Sequence, residues 1–66
     1  MRILVIEDDL HISQFLQQGF EELNYQVTVC ADGLEGYQLA KSAEFDLLVL
    51  DLMLPTWNGE KVLRHL

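Results

Sequence analysis

Two kinds of hydrophobic pattern alternate along the chain. Residues 2–6 hold a continuous, largely β-branched apolar run, Ile3-Leu4-Val5-Ile6, which predicts a strand buried on both faces. Glu7-Asp8-Asp9 stops it abruptly. From Leu10 to Leu23 the apolar residues fall at Ile12, Phe15, Leu16, Phe20 and Leu23, the spacing of an amphipathic helix, with Gly19 on the same stripe. Asp8 or Asp9 can cap its start, and Asn24 can take the left-handed conformation that ends it. Residues 25–30 alternate, Tyr25, Val27 and Val29 against Gln26, Thr28 and Cys30, which predicts a strand with one wetter face at a sheet edge.

The second half of the chain repeats the alternation. Asp32-Gly33 is a turn signal, and Leu34 to Ser42 reads as a shorter, weaker helix that tolerates Gly36. Phe45-Asp46 leads into Leu47-Leu48-Val49-Leu50, a second fully apolar strand that again ends on an acid, Asp51. Residues 52–59 read as a loop, and Glu60 to Leu66 as a helix capped by Asn58 with Val62, Leu63 and Leu66 inward. The order βαβαβα predicts an α/β fold with a parallel sheet and right-handed crossovers. Ligands of such sheets bind beyond the carboxyl ends of the strands. The two apolar strands lie side by side in this reading, so Glu7, Asp8 and Asp51 meet at one rim.

Composition narrows the function classes. The chain has 66 residues, half of them hydrophobic, with a formal net charge of −7 and a single Cys. That hydrophobic share excludes a disordered tail, and one thiol cannot close a disulfide on its own chain. The acidic balance argues against direct contact with nucleic acid, since phosphate binding needs a basic patch. Arg2 is the only formal cation among residues 1–40. No signal peptide is visible, and no apolar run approaches the ~20 residues of a membrane span. The expectation is a soluble, cytoplasmic single unit without membrane contact. Folding a chain this short buries only roughly 60% of its extended surface, so it needs a metal or a partner subunit.

A rim of three carboxylates has a specific chemistry. Each acid raises the pKa of the others, and a divalent cation relieves the repulsion. Hard oxygen donors with no nearby His or Cys suit Mg²⁺ or Mn²⁺. A carboxylate beside such a cation can attack a phosphoryl group. The same acids can equally be helix caps and a strand terminator, and spacing alone leaves both readings open.

The residues Met-Arg-Ile-Leu-Val-Ile-Glu-Asp-Asp at 1–9, Ala-Asp-Gly at 31–33, Phe-Asp-Leu-Leu-Val-Leu-Asp-Leu-Met-Leu-Pro at 45–55, and Asn58-Gly59 resemble the receiver domain of bacterial two-component response regulators. They are most similar to the receivers of winged-helix transcription regulators. The two acidic motifs are jointly specific; the Ala-Asp-Gly alone is weak. The resemblance implies a flavodoxin-like, doubly wound sheet with strand order 2-1-3. It implies that Asp51 is the phosphoacceptor, receiving a phosphoryl group from a sensor histidine kinase to regulate an output such as transcription. Asp8 would be a direct Mg²⁺ ligand, Glu7 would act through water, and the backbone carbonyl of Met53 would complete the set, while Asp9 is a helix cap. The receiver is then a phosphoacceptor signalling protein rather than an enzyme, catalysing at most its own phosphoryl uptake.

The departures set further expectations. The family domain is about twice this length, so residues 1–66 correspond to its N-terminal half. The family's hydroxyl residue, its lysine and its aromatic switch residue have no counterpart, and neither Lys41 nor Lys61 can stand in. The segment is therefore expected to be incompetent for switching. Thr56 stands where the family often has Gly.

A rival reading is a self-associating half-domain, a homodimer with a structural role and no phosphotransfer. A phosphatase of the haloacid-dehalogenase type ranks low, because Asp51-Leu52-Met53 lacks that family's second acid. His11 and His65 read as surface residues, Cys30 as packing, and Glu21-Glu22 as a solvated helix face. Trp57 fits a partner site and a cover for the core edge equally well.

Overall fold

The computed structural model describes residues 1–66 as three parallel strands and three helices. The elements are β1 (Arg2–Ile6), α1 (Leu10–Glu22), β2 (Gln26–Cys30), α2 (Gly33–Ser42), β3 (Leu47–Leu50) and α3 (Gly59–His65). The sheet order is β2-β1-β3, as expected, with both pairings parallel. Ile6 lies opposite Cys30 on one side and Leu50 on the other, so all three strands end level. β2 starts one residue later than its alternation suggests, and β3 starts at Leu47 because Asp46 turns its carboxylate to the Arg2 amide at 2.7 Å.

β1 forms the centre of the core, with Ile3, Leu4, Val5 and Ile6 fully buried. The pleat sends Leu4 and Ile6 to one face, where they join Cys30 and Val62, flanked by Tyr37, Leu39, Leu48, Leu50, Leu54 and Trp57. Ile3 and Val5 point to the other face, which α1 covers. Gly36 is more than tolerated in α2: a Cβ there would press into the Ile6 side chain, so its absence lets α2 close onto β1. Asp9, not Asp8, caps α1, its carboxylate accepting from the His11 and Ile12 amides at 2.9 and 3.3 Å. Asn24 ends the helix at φ 66°.

The helical stripes are less covered than their spacing suggests. On α1, Leu16 and Phe20 are half-buried, but Ile12, Phe15 and Leu23 are exposed, Phe15 to 70%. Phe15, Gln18, Gly19 and Glu22 line an open groove there. On α3, Val62 is fully buried while Leu63 and Leu66, expected inward, are exposed. In this seven-residue helix only Gly59 and Val62 are buried, so the inward face is one side chain wide. No helix is long and apolar enough to cross a membrane.

Candidate functional site: an acidic pocket at the strand ends

Because β1 and β3 pair with Ile6 opposite Leu50, the residues that follow them leave the sheet together. The Asp51 amide donates to the Ile6 carbonyl at 3.0 Å, and the Glu7 amide donates to that of Cys30 at 2.9 Å. Backbone pairing thus continues one residue past each strand and then releases the side chains at the rim. Glu7, Asp8 and Asp51 each bring a carboxylate oxygen within 4.8 Å of the others. Glu7 and Asp51 are half-buried and Asp8 is exposed.

The electrostatics follow from this crowding. Partial burial holds the Glu7 carboxyl above its usual range; the Asp9 amide, donating to Glu7 at 3.1 Å, opposes the shift, and the charges of Asp51 and Asp8 add to it. No cation of the chain neutralises the cluster. The ammonium of Lys61 stands 4.5 Å over the Trp57 ring, that of Lys41 lies 5.7 Å from the Tyr37 ring, and Arg64 pairs with Glu60. The donors that meet at the pocket are carboxylate oxygens, with no imidazole or thiolate among them, and that set fits a small hard divalent cation.

Of the other residues singled out by sequence, Asp9 is occupied as a cap and stands apart from the cluster. Met53 follows Asp51 in the loop between β3 and α3, its side chain 83% exposed and its amide donating to Asp51 at 3.1 Å. His11 is exposed, and Cys30 is buried with its thiol donating to the Asp32 carbonyl at 3.3 Å. Trp57 is a half-buried cover of the core edge, its ring 4.9 Å from Tyr37 and 4.7 Å from His65.

The 52–58 loop is tied down by contacts that the sequence did not disclose. Gly59 lies so close to Asp51 that a Cβ would overlap the Asp51 carbonyl oxygen, and Gly33 stands in the same relation to the carbonyl of Trp57. Thr56, at φ 63°, donates its hydroxyl to Asp32 at 2.7 Å and accepts from the Leu34 amide at 3.2 Å. Asp32-Gly33 was legible as a turn signal; its contact across 24 residues was not.

The chain is similar to known proteins along nearly its whole length. The response regulator receiver domain family matches residues 3–66. The probable transcriptional regulatory protein SilR of Salmonella typhimurium is 44% identical over all 66 residues, which are 29% of its own length. The receiver domain of the Francisella response regulator 1452 superposes with a TM-score of 0.92 at 36% identity, over 97% of this chain and 53% of that one. TrrA of Thermotoga maritima, solved in complex with Mg²⁺-BeF, gives 0.90 at 30% identity, over 97% of this chain and 56% of that one. TrrA has also been solved in complex with the histidine kinase ThkA. The chain therefore spans about a third of the curated relative and about half of the solved receivers.

Proposed function

The chain belongs to the response regulator receiver domain family, and on that premise we propose that it is the phosphoacceptor part of a two-component system, with Asp51 as the acceptor and a sensor histidine kinase as the donor. The convergence of Glu7, Asp8 and Asp51 at adjacent strand ends carries the reading. Glu7, Asp8, Asp51 and the backbone carbonyl of Met53 would hold Mg²⁺, or Mn²⁺ in its place. When bound, the cation supplies positive charge that offsets the charge on the transferring phosphoryl oxygens.

The residues themselves do the rest. An Asp51 carboxylate oxygen attacks phosphorus in line with the bond to the donor imidazole. The P–O bond forms as the P–N bond breaks, its electron pair stays on the imidazole, which takes up a proton, and Asp51 becomes an acyl phosphate. The Met53 amide, already donating to Asp51, orients the carboxylate for attack. Transfer is expected to be slow, because residues 1–66 hold no counterpart of the family's lysine and hydroxyl residue, and Lys41 and Lys61 lie over aromatic rings instead. Regulation of transcription is the proposed output, by likeness to SilR.

Treatment with acetyl phosphate and Mg²⁺ tests the assignment. The expected product is a minor species heavier by about 80 Da, one phosphoryl group, mapped to Asp51 and absent from Asp51→Asn. Labelling that persists in Asp51→Asn overturns it.

A second reading is favoured by β3, which pairs with β1 alone and leaves Leu47 40% exposed. Its four residues carry no charge and no Pro, so the edge lacks the usual protection against pairing with another chain. A homodimer in which two β3 edges pair would cover it by one isologous contact.

A further inference from the structure

The loop that follows Asp51 is anchored at its start, its middle and its end, and the side chain that ties its middle to a distant element is that of Thr56. At its start the Asp51 amide donates to Ile6, and at its end the Gly59 amide donates to the Leu52 carbonyl at 3.0 Å. Both are backbone contacts, the second made possible by the absence of a Cβ at Gly59. In the middle, the Gly33 amide donates to Pro55 at 3.2 Å, and the Thr56 hydroxyl bridges the Asp32 carboxylate and the Leu34 amide. Asp32 also caps α2 through the Glu35 amide at 3.0 Å, so one carboxylate oxygen fixes both a helix start and a distant loop.

Thr56 is an unexpected residue for this position. A β-branched side chain at φ 63° is sterically disfavoured, and Asn24 is the only other non-glycine residue with positive φ. Glycine would adopt the conformation freely, but it carries no hydroxyl. The chain thus accepts backbone strain where it obtains two hydrogen bonds in return.

We infer that Asp32 and Thr56 form a latch that positions the Met53 carbonyl relative to Asp51, and so sets how tightly the acidic pocket holds a divalent cation. The inference rests on the proposed cation site. It makes Thr56 a positioning residue: Thr56 lies three residues beyond Met53, and its hydroxyl contacts run to Asp32 and Leu34 rather than to the pocket. The Ala-Asp-Gly motif thereby gains a role beyond its turn. Support comes also from Asp32 itself, whose carboxyl is held below its usual range by the Glu35 amide first and the Thr56 hydroxyl second.

Two measurements on the same four proteins test the latch: wild type, Thr56→Ser, Thr56→Val and Thr56→Gly. Hydrogen exchange of the Leu34 amide reads the latch directly. It should be roughly fivefold faster in the Val and Gly variants, as for loss of one hydrogen bond, and near wild type in Ser. Calorimetric titration with MgCl2 alone reads its consequence. The Kd should rise about tenfold in Val and Gly and be restored in Ser, the lower end for loss of a group that supports a ligand. Thr56→Gly is the decisive protein, since it relieves the strain while removing the hydroxyl. Mg²⁺ binding as tight as wild type in that variant overturns the positioning role. Unchanged Leu34 exchange in Val and Gly overturns the latch itself, whether or not Mg²⁺ binds. Absence of Mg²⁺ binding to the wild type overturns the cation site and the positioning role together.

Discussion

Ile6 and Leu50 face each other across β1 and β3, and the Asp51 amide extends that pairing by a hydrogen bond of 3.0 Å to the Ile6 carbonyl. Glu7 and Asp51, 44 positions apart in sequence, are therefore set side by side by strand register.

Crowded carboxylates should make this protein more stable when a cation binds. Mg²⁺ at millimolar concentration is expected to raise the Tm of the wild type by a few degrees, about 1 kcal/mol of linkage for a weak site. Asp51→Asn and Asp8→Ala should respond much less. Equal shifts in all three proteins would remove the pocket as the binding site.

Asp32 predicts a stability change on acidification. Its folded-state pKa lies below the ordinary aspartate value of 3.8, so the charged carboxylate is favoured by folding. The contribution is present above that value and is lost as the pH falls through the lower, folded-state pKa. Urea midpoints of wild type and Asp32→Asn should differ by a constant amount above about pH 5 and converge in stronger acid. A difference that is unchanged down to pH 2 would contradict the assignment.

Val62 and Leu63 are neighbours with opposite surroundings. Val62 is fully buried against Leu4, Ile6 and Cys30, whereas Leu63 is 63% exposed. Val62→Ala should cost about 1–3 kcal/mol in denaturant unfolding, and Leu63→Ala less than about 0.5. The reverse order would mean that α3 is rotated about its axis.

Pairing of β3 edges predicts a dimer. Sedimentation at micromolar concentration should show a folded species of twice 7.6 kDa, and Leu47→Lys, which places a charge at the exposed position of the edge strand, should favour the single chain. A folded wild type that sediments at 7.6 kDa would defeat the second reading and leave the phosphoacceptor reading untouched.

What the sequence disclosed depended on the range of the interaction. Ile3 to Ile6 announce a strand buried on both faces, and Asp9, Asn24 and Asn58 announce helix ends, because each acts within a few residues of itself. The strand-end acids were legible because parallel order places successive strand termini together. Periodicity was less informative about Phe15 and Leu63. It states which side of a helix is apolar, but not whether anything packs against that side. The Asp32–Thr56 contact left no local trace, since a hydroxyl and a carboxylate 24 residues apart follow no spacing rule.

Trp57 is the only tryptophan in the chain. Its carbonyl abuts Gly33, next to the latch, and its ring lies against Tyr37 and His65 beneath the Lys61 ammonium. Every photon of indole emission therefore originates one residue from Thr56. Loosening of the loop should appear as a change in emission colour or anisotropy in unlabelled protein, so the molecule carries its own optical gauge of the segment that follows Asp51.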